Sequence, residues 1–405
     1  MSVVSCQLSV VLLPDSLFLM LIFCLSAVLF YTYGVYTAIA KRSVGIAFLR
    51  DSPPINPKFH PPVTILKPLC GVDKGTYTNL ASFCQQNYPQ YQIIFSVRSS
   101  TDPSIEVVEK LIQQFPEIDI SLVVKDHILG ANLKISNLAN AVTAAKHDIL
   151  VIADSDILVG SDYLQTVIQP LKDEKVGVVT CLYRSTAQGI ATILEAICTA
   201  TDFQPGILVS NQLEGIKFAL GSTIVIRKTT LAKIGGFAAV VDYLADDYQL
   251  GYLPTQAGDK VVLSNYIVEH GLGHSSLLDS INRQIRWARC IRVSRPGGYA
   301  GLIFTFGTVS SLLLLITSGG SILSLLVVSI TLLMRLIMAW VIGVKVLNDA
   351  VTKKYFWLIP VADIVRFIIW CCGFFGNTIE WRGTKFKLVK DGKLGMIEKE
   401  KSEVQ

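Results

Sequence analysis

Charge is scarce in this sequence: Asp, Glu, Lys and Arg make up only 17% of 405 residues, while hydrophobic residues make up 51%. Soluble domains carry about 25% charged residues, so a wholly water-exposed protein is excluded, and the mean hydropathy of +0.50 sends the apolar excess into lipid. Close C-x-x-C pairs are missing among the nine cysteines, and none stands beside histidines at zinc spacing. A disulfide framework or zinc-finger module is therefore not indicated, and the cysteines read as reduced, mostly buried thiols. Cys371 and Cys372 adjoin in an apolar run, where packing is the plainer account and acylation the sharper one. No helix-turn-helix or aromatic RNA-binding signature accompanies the net charge of +5, which sets nucleic acid aside as a partner. The basic residues gather at Lys41 and Arg42, from Arg283 to Arg295, and from Arg382 to Lys393, a distribution that suits anionic lipid and a diphosphate.

Long hydrophobic runs are what the chain does have. Leu17 to Ala40 carries no charge, and Lys41 and Arg42 come directly after it. The run spans a hydrocarbon core of roughly 30 Å as a helix, and the positive-inside rule puts residue 43 onward in the cytoplasm. A cleaved signal peptide fits less well, because the run is too long and lacks a basic start and a small-residue cleavage site. Pro53, Pro54, Pro57, Pro61 and Pro62 then mark a linker. Further apolar stretches lie at Gly301 to Ser318, Ile322 to Val346 and Tyr355 to Gly376. With the catalytic region and the basic tail both cytoplasmic, the crossings between them must be even in number. That predicts two spans, with Gly301 to Ser318 lying at the interface. Arg335, Asp363 and Arg366 fall inside these runs, where ionisable groups should face protein or water, as structural pairs or as substrate contacts.

Between linker and membrane region, strand and helix patterns alternate. Strands are expected at Val63 to Leu66, Tyr91 to Val97, Ile120 to Val124 and Asp148 to Ala153, with helices at Tyr77 to Gln86, Ile105 to Gln114 and Lys134 to Ala145. Such alternation implies an α/β fold with a mostly parallel, covered sheet. The run Ile149 to Ala153, apolar on both faces, reads as a central strand ending at Asp154, and ligands bind where such strands end.

Asp154-Ser155-Asp156 places two carboxylates one residue apart, pointing the same way on an extended segment, able to share Mg²⁺ or Mn²⁺ that would neutralise a departing nucleotide diphosphate. An acidic loop cap is the plainer account. Asp246-Asp247-Tyr248 precedes a helix; one carboxylate is a candidate general base, and the alternative is acids stabilising a helix N-terminus. In Arg283-Gln284-Ile285-Arg286-Trp287, positions 283, 286 and 287 share a helical face suited to a phosphate, or to an amphipathic helix on anionic lipid. His270 and His274 superficially suggest a metal pair beside Glu269, but Gly271 and Gly273 argue against the helix that would align them. Gly130-Ala131-Asn132-Leu133-Lys134 is no P-loop, though a glycine turn entering a helix with a lysine can approach phosphate.

Taken in order, these elements resemble the ceramide glucosyltransferase family and the glycosyltransferases associated with hopanoid biosynthesis. The motifs are Leu66-Lys67-Pro68-Leu69 with Gly71-Val72-Asp73, Asp102-Pro103, Gly130-Ala131-Asn132 with Lys134 and Asn137-Leu138, Asp154-Ser155-Asp156, Asp246-Asp247-Tyr248, and Arg283 with Arg286-Trp287. The resemblance implies a GT-A type, Rossmann-like catalytic domain, inverting transfer from a UDP-sugar to a membrane lipid hydroxyl, and a divalent metal, Mn²⁺ or Mg²⁺. It makes Asp247 the catalytic base and Asp154 and Asp156 the metal residues. Asp102, Lys134, Asn137, Asp154, Arg283, Arg286 and Trp287 fall near the nucleotide-sugar. Ser99 stands where many relatives have an aspartate, and Asp202-Phe203-Gln204-Pro205 stands where the animal enzymes have a histidine before a proline. The second departure looks more like the hopanoid-associated branch, which leaves UDP-N-acetylglucosamine and a hopanoid lipid as an alternative substrate pair to UDP-glucose and ceramide. A membrane-anchored lipid-binding protein of the same fold is the non-enzymatic alternative. The expected layout is an anchor (1–42), a linker (43–60), a cytoplasmic GT-A domain (61–300), a membrane region (301–376) and a basic cytoplasmic tail (377–405).

Overall fold

The structure, a computed structural model, describes residues 15–39, 58–381 and 384–396. Lys41, Arg42 and nearly all of the proline-rich linker lie outside the described residues.

Among the described residues, eleven strands form two sheets. The large one contains β1 (Val63–Pro68), β2 (Tyr91–Val97), β3 (Asp119–Val124), β4 (Ile149–Ile152), β5 (Ile157–Leu158), β6 (Val176–Gln188), β7 (Ile224–Arg227) and β8 (Lys260–His274), in the order β3-β2-β1-β4-β7-β6-β8-β5. The β3-β2-β1-β4 half is parallel, as the alternating pattern requires. β7 enters antiparallel to both β4 and β6, so the sheet is mixed beyond its centre. Period-two burial explains the packing: Ile65, Ile93 and Phe95 enter the core on one face, while Leu66 and Ile94 enter the core on the other. Helices α1 (Asp15–Ile39), α2 (Thr76–Cys84), α3 (Ser104–Gln114), α4 (Leu133–Ala141), α5 (Tyr163–Ile168), α6 (Ile190–Cys198), α7 (Gln204–Glu214), α8 (Asp246–Gln256) and α9 (Leu277–Ser294) come in chain order. A π-helical turn, Thr199–Phe203, joins α6 to α7. Gly251 lets α8 approach the sheet loops, since a Cβ there would sit 2.2 Å from the Ala219 nitrogen.

The membrane region comprises α1, α10 (Gly307–Thr317), α11 (Ile322–Ala339) and α12 (Ile359–Gly373). Among the described residues, Asp15–Ile39, Ile322–Val346 and Phe356–Gly373 are long and apolar enough to cross a membrane. Pro296–Thr305 and Gly307–Thr317 are bent by 55°, within the stretch expected at the interface. Gly307 allows the close approach just after the bend: a Cβ would come within 2.7 Å of the Ala27 side chain and 2.8 Å of Thr331. The core on one sheet face continues into Ala27, Tyr31, Met338 and Ile342, so sheet and membrane helices share apolar packing.

Arg335, Asp363 and Arg366, inside the apolar runs, are partnered. Arg335, 2% exposed, binds Asp363 through Nε and Nη2, the latter at 2.6 Å, and donates to the Thr201 carbonyl and hydroxyl, each at 2.9 Å. Thr308 donates to the same carboxylate at 2.5 Å. Arg366 pairs with Asp202 of the π-helical turn. Within the stretch expected as a basic tail, β9 (Thr378–Trp381), β10 (Thr384–Leu388) and β11 (Leu394–Met396) form an antiparallel sheet in the order β11-β10-β9.

Candidate active site

A cavity of about 1330 Å³ opens at the carboxyl ends of β1, β2 and β4, the place where open α/β sheets bind ligands. Its walls include Asp102, Lys134, Asn137, Asp154, Asp156, Asp247, Arg283, Arg286 and Trp287, so the structure brings every site residue read from the sequence to one space. Tyr299, Leu302, Ile369 and Trp370, beside and within the membrane helices, line the same space.

At its polar end Lys134 reaches Asp154 at 2.8 Å and Asp246 at 3.2 Å. Asn132 aligns this lysine: it caps α4 by accepting from the Ile135 N–H, and its amide donates to the Tyr243 carbonyl and to Asp246. Asp246 and Asp247 begin a helix and also line the cavity. Asp247 accepts from Gly221 N–H at 3.0 Å and Tyr248 N–H at 2.8 Å. Burial, reinforced by Asp246, lifts its carboxyl to about 6, the range of a working general base. Burial also raises Asp154, against the pull of Lys134. For Lys134, burial disfavours the charge, but Asp154, Asp246 and Asp247 outweigh it and hold the ammonium above its ordinary value. Beneath them Lys67 is fully buried, pushed down to about 7 by that burial, and donates to the Asp154 carbonyl at 2.5 Å.

Asp156 lies apart from this cluster. Its Oδ2 is 3.3 Å from His270 Nε2, and its Oδ1 is buried without a hydrogen-bond partner among the described residues. Burial works against charge on His270, but Asp156 outweighs it and holds the imidazole above its ordinary value, so a divalent cation taken by the open Oδ1 would have to displace that proton to use Nε2. No third His, Cys, Asp or Glu among the described residues completes a cage, so the other ligands would come from water and a diphosphate. Asp102 accepts from Gly71 N–H and from the Ser104 N–H and hydroxyl, fixing the cavity-side turn. Asn137 donates to the Leu69 and Ser96 carbonyls, leaving a buried Oδ1 without a donor among the described residues.

On α9, Arg283 is engaged: Nε and Nη2 bind the buried Glu195 carboxylate at 2.8 and 2.6 Å, and Ser280 donates to the same group. Arg286 stands over Trp381 of β9. Arg289 and Arg292 donate to carbonyls at and after the α12 C-terminus, including those of Phe374, Phe375, Gly376 and Thr378.

Residues 19–394 match the family described as Glycosyl transferase family 21. The chain belongs to that family. Ceramide glucosyltransferase 1 of Caenorhabditis elegans is 31% identical over 231 residues, covering 56% of this family 21 chain and 49% of that protein. Ceramide glucosyltransferase of Komagataella phaffii is 35% identical over 144 residues, covering 34% and 27%. The chain thus spans about half or less of the length of these curated relatives. Among solved structures, the mannosyltransferase PcManGT from Pyrobaculum calidifontis, in complex with GDP-Man and Mn²⁺, has a TM-score of 0.52 at 17% identity, covering 87% of this chain and 97% of that one. The family 21 chain thus has a GT-A type fold and membrane-spanning-length helices at both ends.

Several site features of this family 21 chain are not legible in its sequence. Gly271 and Gly273 argue against a helix around His270, and none forms; β8 is instead a strand whose β5 pairing brings His270 opposite Ile157, next to Asp156. Glu195 lies in an apolar helix with no local signal of a distant arginine. Arg98 belongs to no motif, although its Nε reaches no acceptor among the described residues and it lines the cavity. Trp381 comes from the stretch expected as a basic cytoplasmic tail.

Proposed function

We propose that the chain transfers a hexose, with UDP-glucose favoured, to the hydroxyl of a membrane lipid by a single inverting displacement on the cytoplasmic face, as a ceramide glucosyltransferase-like enzyme. The observation that carries this reading is Asp247: a carboxylate lifted to about 6 in a cavity running from the Asp154–Asp156 loop to apolar residues of the membrane region. Asp247 takes the proton of the lipid hydroxyl as its oxygen bonds to the anomeric carbon. The bond from that carbon to the diphosphate breaks on the opposite side, and UDP leaves with the electron pair. Lys134 and Arg286 carry positive charge toward the diphosphate, and Arg283, neutralised by Glu195, fixes the pitch of α9. Asn137 Oδ1 and Asp102 belong to the nucleotide side. Asp156 and His270, with Asp154 alongside, would hold Mn²⁺ or Mg²⁺, and such a cation supplies charge neutralisation to the departing diphosphate. An imidazole in the donor set suits Mn²⁺ better than Mg²⁺, which takes oxygen ligands.

The test is UDP release by detergent-purified protein with Mn²⁺, comparing UDP-glucose with UDP-N-acetylglucosamine against ceramide, diacylglycerol and a hopanoid polyol. Turnover is expected with UDP-glucose and ceramide. Turnover confined to UDP-N-acetylglucosamine and the hopanoid would replace this substrate pair, and folded protein silent with every pair would favour the lipid-binding alternative.

A further inference from the structure

The sheet β9–β11 is bound to the site by contacts of three kinds. Ile379, Phe386, Leu388 and Leu394 form an apolar cluster with Ala131, in the turn before Lys134, and with Leu244, in the loop before Asp246. Two main-chain hydrogen bonds stitch the sheet to that loop: Leu394 N–H donates to the Asp242 carbonyl at 2.7 Å, and Leu244 N–H donates to the Gly392 carbonyl at 3.1 Å. Arg289 of α9 donates to the Thr378 carbonyl at 2.5 Å. The sheet therefore touches the elements that carry Lys134, Asp247 and Arg286. Its cavity-facing residues are Glu380, Trp381 and Phe386, and the Arg286 guanidinium carbon lies 5.7 Å from the Trp381 ring centroid.

An arginine on a helix beside a cavity has many rotamers, and only some direct the guanidinium at a bound diphosphate. An aromatic face within about 6 Å attracts the guanidinium through its quadrupole and restricts that choice without consuming the N–H donors. We propose that the C-terminal sheet is a wall of the donor site and that Trp381 is the positioning residue that presents Arg286 to the diphosphate. The proposal rests on the reading of Arg286 as a diphosphate contact. It ties the sheet β9–β11 to nucleotide affinity.

The experiment measures UDP binding to the full-length purified protein with Mn²⁺, by equilibrium dialysis, for wild type, Trp381→Ala, Trp381→Phe, Arg286→Ala and the Trp381→Ala/Arg286→Ala double variant, with a thermal melt for each. Trp381→Ala is expected to weaken UDP roughly tenfold, Trp381→Phe to stay within about threefold of wild type, and the double variant to bind no worse than Arg286→Ala alone. If Trp381→Ala does not fold, Trp381→Leu keeps the bulk, removes the aromatic face and gives the same contrast with phenylalanine. Wild-type affinity in the folded Ala or Leu variant, or fully multiplicative losses in the double variant, would overturn the role of Trp381 while leaving Arg286 in place. Unchanged UDP affinity in Arg286→Ala would instead remove the diphosphate contact and this proposal with it.

Discussion

Two buried charge networks sit in this protein, and they are built differently. In the membrane region, Arg335, Asp363, Thr201 and Thr308 close on one another with matched donors and acceptors. At the cavity, Asp156 Oδ1 and Asn137 Oδ1 are left without donors among the described residues, and two neighbouring carboxylates, Asp154 and Asp247, are held above their ordinary range. Closed networks hold a structure together, whereas open ones are completed by a ligand. The contrast separates the structural charges from those available for chemistry.

The largest effect expected from breaking this contrast is on the closed network. Arg335→Ala should destabilise the protein by about 3–5 kcal/mol, because it strands Asp363 away from water, while Arg335→Met with Asp363→Leu should recover much of the loss. Thermal or denaturant unfolding in a defined detergent measures both. Asp247→Asn should behave in the opposite sense: turnover falls roughly 10²-fold or more, but the melting temperature rises. A carboxyl held above its unfolded value of 3.8 contributes its stabilisation fully below that value and loses it as pH climbs through about 6, so at pH 7 the ionised group is a burden that asparagine removes. Wild-type turnover should accordingly fall about tenfold per pH unit below about 6, a limb that Asp247→Asn lacks. The smallest expected effect is on the proposed metal residues, Asp156 and His270. His270→Ala should weaken Mn²⁺ roughly tenfold or more, read by metal titration in the presence of UDP, with little change in the melt. An unchanged Mn²⁺ requirement would leave Asp156 without its partner role.

The parallel half of the large sheet was legible because strand and helix patterns alternate there and β4 is apolar on both faces, which only a covered strand tolerates. The site residues were legible where the chain brings them close locally, as in Asp154-Ser155-Asp156, or where the family resemblance placed them. What escaped were pairings across the fold. His270 meets Asp156 only because β8 runs beside β5, and Arg283 meets Glu195 only because α9 lies against α6. The antiparallel entry of β7 is equally a matter of topology, since its apolar run reads the same in either direction. The sheet β9–β11 escaped for another reason. Its exposed lysines give it the composition of a solvated tail, while a few apolar residues, Ile379, Phe386, Leu388 and Leu394, do the packing.

The cavity joins loops of the sheet to Ile369 and Trp370 of α12, and this has a kinetic consequence. A nucleotide-sugar arrives from a volume, whereas a lipid arrives from a plane. For the proposed lipid acceptor the relevant concentration is its mole fraction among surrounding lipids or detergent, not moles per litre of suspension. Adding inert detergent at fixed acceptor should slow turnover by surface dilution while leaving donor saturation where it was. A water-soluble acceptor in the same cavity would be indifferent to that dilution.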